Sequence, residues 1–347
     1  MRLPDSQTLA GTKVPRRSMF LRAGLLALAG VVCLGLAFAG VLVTLVNLVL
    51  GVAGLVLLYI ALHRCLWAWR RRKVDLMVVL AATWLTVLVL AALFAPLLPL
   101  GEHEDLVKAY DVDTFIPPFT FIDHYLGTNS NGLDLLARAI YGARVSLVIA
   151  FVAVTVGTLV GGAIGVFAGY YRKGVDRVVG IGTNTLLATP PLILLIALAA
   201  VLDPSVRNIA LSLSLLTIPT MVRMARANTI AYSQREFVTA ARALGATRLR
   251  VMWRELVPNV LLPLMSMAVV LASGLIVAEA SLSFLGLGLE QPTATWGNMI
   301  AEPDNDTLVQ HPYLVLVPGA FLFLTVFSLN LLGERAQKRW DTRSAKL

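Results

Sequence analysis

The sequence predicts an all-α polytopic membrane protein with about eight transmembrane helices, on the strength of its composition, the length of its apolar runs and the placement of its charges. Of its 347 residues 58% are hydrophobic and only 14% charged, and the mean hydropathy is +0.79. Soluble globular chains hold about 45–50% apolar and about 25% charged residues, so the solvent for most of this chain is lipid. A hydrocarbon core about 30 Å thick takes roughly 20 apolar residues as a helix, because a helix satisfies its own backbone there. Runs of that length recur along the chain.

The first, 20–62, is about twice the needed length, with Gly40, Asn47 and Gly51 near its middle, and reads as a hairpin of two spans. Six more follow at 75–98, 145–169, 175–201, 208–224, 259–285 and 312–332. These divide the chain into an N-terminal tail (1–19), a membrane hairpin (20–73), a first core helix with its outer loop (74–144), a core (145–333) and a C-terminal tail (334–347). With both termini inside, 25 of the 29 Lys and Arg lie on inner segments, as the positive-inside rule requires, and 12 of the 20 Asp and Glu lie in outer loops. An odd number of spans scrambles this pattern. Arg16-Arg17 ahead of an apolar run ending at Ala37-Phe38-Ala39 has the outline of a signal peptide; the basic anchor Arg70-Arg71-Arg72-Lys73 favours the membrane hairpin.

Composition also excludes classes of function. Cys33 and Cys65 stand in or beside apolar runs, so no disulfide framework follows. His63, His103, His124 and His311 are scattered without ligand spacing, which argues against a catalytic metal. No catalytic or metal-binding residue is assigned. No Gly-x-x-x-x-Gly-Lys-Ser/Thr loop occurs, so the chain has no phosphate-binding site of that type.

Inside the spans, Gly157, Gly161, Gly165 and Gly169 recur every fourth residue and form one stripe. Such a stripe lets another helix approach to backbone contact, which drives association in lipid. Pro190-Pro191 must kink or open its helix, and the freed carbonyls need cover by protein or a water-filled path. Glu279, beside Ser281 and Ser283, is an acidic side chain inside a span, where ionisable groups are costly. Pro190, Pro191, Glu279 and Ser281 are therefore candidates for lining a translocation pathway; for the prolines a plain packing kink, and for Glu279 a hydrogen bond to a neighbouring helix, are the competing readings.

Between the spans ending at 224 and beginning at 259 lies the longest interior inner segment. Ser233 and Glu236 match a Ser-x-x-Glu capping box, which predicts a helix from Gln234. Gly245 then closes it as a left-handed cap. A second helix is expected from Thr247 to the vicinity of Pro258, with Leu249, Met252, Trp253 and Leu256 as its apolar positions. Ala240, Ala241 and Ala243 keep the corner slim, which suits a groove on another protein. The residues alone leave three readings open: a docking element, an amphipathic pair lying on anionic lipid, and a plain connector. A DNA-binding helix-turn-helix is excluded by its tether to two spans.

Four ordered motifs carry a resemblance that covers about 270 residues from Asp75 onward. They are His124-Tyr-Leu-Gly127-Thr128 through Asp134, Arg138 and Tyr141-Gly-Ala-Arg144-Val-Ser146; Ala240-Ala241-Arg-Ala-Leu-Gly245 with Leu256-Val-Pro258-Asn259; Ala278-Glu279-Ala-Ser-Leu-Ser-Phe-Leu-Gly286-Leu-Gly288; and Trp296-Gly297 with Asn330-Leu-Leu-Gly333. In them the chain resembles the C-type membrane subunit of the dipeptide/oligopeptide/nickel ABC importers. The resemblance implies a type I importer permease core of six helices, to which the hairpin 20–62 is an addition, in the bacterial cytoplasmic membrane. It implies a coupling loop at 233–258 in which Glu236, Thr239, Ala240, Ala241, Ala243, Leu244, Gly245 and Arg248 meet a partner ATPase. It also implies a second permease subunit, two ATP-binding subunits that hold ATP and Mg, an extracytoplasmic binding protein, and a di- or oligopeptide cargo, with nickel or another small solute as the alternative. Thr239 stands where the motif has Glu, and Asn129 and Leu133 stand where the outer motif has Asp and Arg, consistent with a missing ion pair. An ion-coupled secondary transporter, which needs paired mid-membrane charges and inverted repeats, and a non-transporting scaffold are the rival functions.

Overall fold

The computed structural model describes residues 24–32, 75–120 and 124–344. The chain divides into two compact units, Met1–Leu80 and Ala81–Leu347. In the first, residues 24–32 are helical and the opening of helix α1 begins after Asp75; the remainder of the expected hairpin, with its signal-like residues, lies outside the described residues. The second unit is helical throughout its spans. Its elements are α1 (Leu76–Leu93), α2 (Leu135–Tyr171), α3 (Lys173–Ala188), α4 (Pro191–Ala199), α5 (Val206–Tyr232), α6 (Glu236–Ala243), α7 (Arg248–Phe284), the short outer helices α8 (Trp296–Ala301) and α9 (Asn305–Gln310), and α10 (Tyr313–Ser344).

Among the described residues, α1, α2, α5, α7 and α10 are each long and apolar enough to cross a membrane, and α3 with α4 makes a sixth if the bent pair is one span. The pair bends by 85°. Thr189 and Pro190 lie at the break with extended backbone, and Pro191 opens α4, a position where its missing N–H has no partner to lose.

The expected helix ends need correction in three places. α2 begins at Leu135, ten residues before the expected 145, because Asp134 Oδ1 accepts the Ala137 N–H at 2.7 Å and caps it. Arg138 and Arg144 thus belong to the outer end of a helix rather than to a loop. α5 continues to Tyr232 instead of stopping near 224, so Arg223 and Arg226 are helical. The helix expected to end near Pro258 runs on unbroken to Phe284. A π turn at Val251–Leu256 widens the helix just ahead of Pro258, where the proline ring and its missing N–H would break ordinary α geometry.

Glycine sets how the spans meet. A Cβ built on Gly161 would fall 2.6 Å from the Ile218 carbonyl oxygen, on Gly165 2.5 Å from that of Val222, and on Gly169 2.8 Å from that of Arg226; on Gly157 it would strike the Thr217 hydroxyl. The stripe on α2 therefore lies against α5 at backbone contact over about three turns. Thr217 adds a hydrogen bond to the Ala153 carbonyl at 3.3 Å. On the other side of the bundle, Gly333 of α10 gives the same close approach to Val270 of α7. Trp84 of α1 donates to Thr325 Oγ1 at 3.2 Å and meets Phe321 edge-on, tying α1 to α10.

Candidate coupling loop and transmembrane site

The segment after α5 folds as helix, corner and helix, but not by the expected capping box. Ser233 closes α5 in helical conformation, and its hydroxyl donates back to the Ile230 carbonyl at 2.8 Å. It also accepts from Arg172 Nη2 at 3.3 Å. An N-cap needs extended backbone and a free side-chain acceptor, so α6 starts two residues later than expected, at Glu236, without a side-chain cap.

The corner itself follows from glycine. Gly245 has φ +82°, a conformation in which a Cβ is strained. Its N–H reaches the Arg242 carbonyl and the Ala246 N–H reaches that of Ala241, both at 3.0 Å. This pair of bonds is the Schellman motif, which satisfies carbonyls that the end of a helix would leave orphaned. Thr247 then caps α7 through the Arg250 N–H at 3.4 Å.

A small apolar core holds the corner to the bundle. Val238, Val251 and Leu256 are buried together against Tyr170 at the end of α2, Tyr232 at the end of α5, and Ala241 and Ala246. The Arg242 guanidinium lies 5.6 Å from the centre of the Tyr170 ring, within cation–π range. Of the expected apolar stripe only Met252 and Leu256 are buried; Leu249 and Trp253 are 58% and 61% exposed. The inward face belongs instead to Val251, because the π turn shifts the helical phase.

Glu236, Thr239, Ala240, Ala243, Leu244, Gly245 and Arg248 all face outward, and Ala241 is half-buried. Leu244 projects furthest, at 88% exposure. The Thr239 hydroxyl reaches the Arg235 carbonyl of its own helix at 3.5 Å. The tip is thus a narrow, mostly uncharged surface of small side chains around one exposed leucine. Its supports are stiff. α6 joins α5 through a three-residue link, α5 is held to α2 by the glycine stripe, and Arg226 of α5 forms a two-pronged ion pair with Asp176 of α3, one arm at 2.7 Å. That pair was not foreseen, since both residues were assigned to the margins of spans.

The transmembrane candidates separate into two places. Glu279 is 1% exposed. Its carboxylate accepts from Ser146 Oγ of α2 at 3.0 Å and from Ser283 Oγ at 2.8 Å, a fully internal link between α2 and α7. Ser281 instead points its hydroxyl back to the Val277 carbonyl at 2.8 Å and lines an open cleft of about 370 Å³ with Leu192, Ala280, Phe284 and Ile300. Pro190 and Pro191, both exposed, stand at the α3–α4 bend beside that cleft's Leu192.

The outer motifs converge above these spans. His124 Nδ1 lies 2.9 Å from Asp134 Oδ2, the carboxylate that caps α2. Arg138, 1% exposed, donates to Glu302 at 3.3 Å and to the carbonyls of His103 and Pro292. Asn129 also donates to Glu302, at 2.6 Å, while its own carbonyl takes the N–H groups of Asn131 and Leu133. The Asn129 and Leu133 departures are accommodated without an ion pair: one amide does the bridging and Leu133 is buried at 1% exposure. Trp296 donates to the Ala139 carbonyl at 3.0 Å and Gly297 lets α8 press on Ala280. His103 stacks on Tyr141 at 3.6 Å, and burial lowers its pKa from the usual value, against the opposing pull of Glu102 and Glu104. Burial acts to raise the Glu102 pKa, but three backbone N–H groups and Lys108 outweigh it and the net shift is downward.

The family profile for the binding-protein-dependent transport system inner membrane component matches residues 161–346. The dipeptide transport system permease protein DppC of Alkalihalophilus pseudofirmus is 30% identical over 277 residues, covering 80% of this chain and 89% of that protein. The glutathione transport system permease protein GsiD of Escherichia coli O6:K15:H31 is 31% identical over 275 residues, covering 79% and 89%. A solved structure of the MetNI methionine ABC transporter aligns at a TM-score of 0.47 and 19% identity, over 58% of this chain and 96% of that one. With the profile spanning more than half of its length and relatives at this identity over about four fifths of it, this multi-pass chain belongs to the inner membrane components of binding-protein-dependent transport systems.

Proposed function

We propose that the chain is one permease subunit of an ATP-driven importer, forming half of a translocation pathway for di- or oligopeptides by alternating access. The observation that carries this reading is the exposed corner at Ala240–Gly245, built between two spans and lying inside a family whose relatives here are named for dipeptide and glutathione transport. In this reading Glu236, Thr239, Ala240, Ala241, Ala243, Leu244, Gly245 and Arg248 seat in a cleft of an ATP-binding subunit. That subunit and its twin hold ATP and Mg. A second homologous permease completes the pathway, and an extracytoplasmic binding protein delivers cargo to the outer motifs. Both termini are cytoplasmic, so the corner lies on the ATP side.

The mechanism follows from the joints. ATP-driven closure of the two ATPases moves the corner. α6 passes that movement to α5 through residues 233–235, and the glycine stripe obliges α2 to move with α5. α7 receives it through Thr247. The Pro190-Pro191 bend and the Ser281 cleft lie beside these moving helices and supply the pathway surface, while Glu279 keeps the α2–α7 contact fixed during the cycle.

Replacing Gly245 with Trp tests the assignment. Nothing lies within 4 Å of a Cβ built at Gly245, so beyond the backbone strain at φ +82°, which Gly245→Ala carries alone as the control, the bulk projects into solvent, where the proposed ATPase cleft would be. The expected result is a chain that still inserts but loses co-purifying ATPase and at least tenfold of its ATP-dependent dipeptide uptake. Assembly and uptake at the level of the unaltered chain would sink the coupling assignment.

A further inference from the structure

The first two turns of α7 present a second outward surface that the corner does not use. Beyond Arg248, which belongs to the corner, Leu249, Arg250, Trp253 and Arg254 are all exposed, whereas Val251, Met252 and Leu256 of the same turns are buried toward the bundle. No side chain among the described residues holds Arg250 or Arg254 by hydrogen bond or ion pair. An aromatic ring flanked by unpaired guanidinium groups is therefore the free face of this segment.

Its depth is fixed by the helix that continues from it. Residues 257–278 of α7 contain no charged side chain, and at 1.5 Å per residue that stretch is about 33 Å long, the thickness of a hydrocarbon core. Trp253 and Arg254 precede it by roughly 5–6 Å, inside the headgroup layer of about 5–7 Å on each side of the core. Arg250 lies about one turn further out, within reach of the same layer through its long side chain. The exposed side of α7 stays apolar as it enters the core, at Leu261, Leu262 and Met265, 43%, 47% and 50% exposed. Trp at the interface and Arg beside it are the side chains that headgroups select.

We propose that Arg250, Trp253 and Arg254 form a binding surface for the headgroups of anionic phospholipids in the inner leaflet. The same unit then has two partners: its tip, around Leu244 and Gly245, for protein, and the start of α7 for lipid. The charge complementarity is direct, since each exposed guanidinium in the headgroup layer favours a phosphate, and the ring occupies the boundary where one side is apolar and the other wet. Lipid held here anchors the inner end of α7 while the tip is pulled.

The test uses the purified full-length chain in nanodiscs, without ATPase, so that it stands apart from the coupling assignment. A polarity-sensitive fluorophore is placed on Leu249→Cys in a background with Cys33 and Cys65 replaced by Ala. Its quenching is compared for phosphatidylglycerol and phosphatidylcholine, each brominated near the headgroup and present at equal mole fraction. About 1 kcal/mol per arginine near an anionic surface corresponds to roughly fivefold in local lipid occupancy. Phosphatidylglycerol is expected to quench at least fivefold more effectively, with the preference falling as salt is raised. The double variant Arg250→Gln, Arg254→Gln is expected to abolish the preference, and the matching double Lys variant to retain most of it. Equal quenching by the two lipids overturns the proposal. So does a fluorophore shielded from both, the outcome expected if a second protein surface covers this face.

Discussion

Glu279 illustrates how a costly residue in a span can be structural. Two hydroxyls, from Ser146 and Ser283, converge on its two oxygens, so removing the acceptor strands both donors in a buried site. A Leu at this position is expected to cost about 2 kcal/mol for the unsatisfied hydroxyls, read as a lower unfolding temperature in detergent. Gln keeps an acceptor and the shape, and is expected to stay within about 0.5–1 kcal/mol of the native stability with uptake intact. Loss of uptake in a stable Gln variant would instead show that the negative charge itself takes part in the transport cycle. Sequence marked Glu279 as exceptional, but its partner Ser146 is 133 residues away, and no local pattern announces such a pair.

At the level of elements, spans were legible and their ends were not. A stretch of apolar side chains betrays a helix because lipid cannot bond a bare backbone. The same logic assigns Arg138, Arg144 and Arg226 to loops, yet each lies in a helix that runs past the apolar stretch, Arg138 and Arg226 held by Glu302 and Asp176 and Arg144 exposed. Gly245 was legible because a left-handed corner demands glycine; Ser233 misled because its hydroxyl already serves α5. The outer loop between α1 and α2 carries its own prediction. The His103 pKa is below the usual value of about 6.5, so the folded loop binds fewer protons than the unfolded one once pH falls under that value, and stability drops with it. Glu102 is shifted the same way from about 4.3, so its contribution is lost only at lower pH, as it falls through the folded pKa. Once corrected for the intrinsic pH dependence of amide exchange, hydrogen-exchange protection across residues 99–120 is expected to fall between pH 7.5 and 5.5, and His103→Gln to remove that step while leaving the more acidic one.

Over the whole molecule, the charge bias predicts an orientation that labelling can test. The corner at Leu244 and the loop at Tyr110 are 88% and 87% exposed, and three crossings separate them if the bent pair α3–α4 is one span. With Cys33 and Cys65 replaced, a cysteine at Tyr110 is expected to react with an impermeant maleimide added to intact cells or spheroplasts, and a cysteine at Leu244 only after permeabilisation. The reverse pattern would invert the topology. The expected two-sidedness rests on the bias of Lys and Arg alone; the assembly of motifs around Arg138 and Glu302 was not legible in the sequence, because it joins segments 164 residues apart.

The stripe of glycines on α2 also bears on how chains like this one can change length. Inserting a single residue into the α-helical stretch between Gly161 and Gly169 would rotate every later position by about 100°, taking the remaining glycines off α5 and driving side chains into its carbonyls. A matching insertion in α5 does not restore the fit, since both faces turn away together. Drift in length is therefore confined to the loops, and these two helices are free to diverge in sequence only at a fixed count of residues.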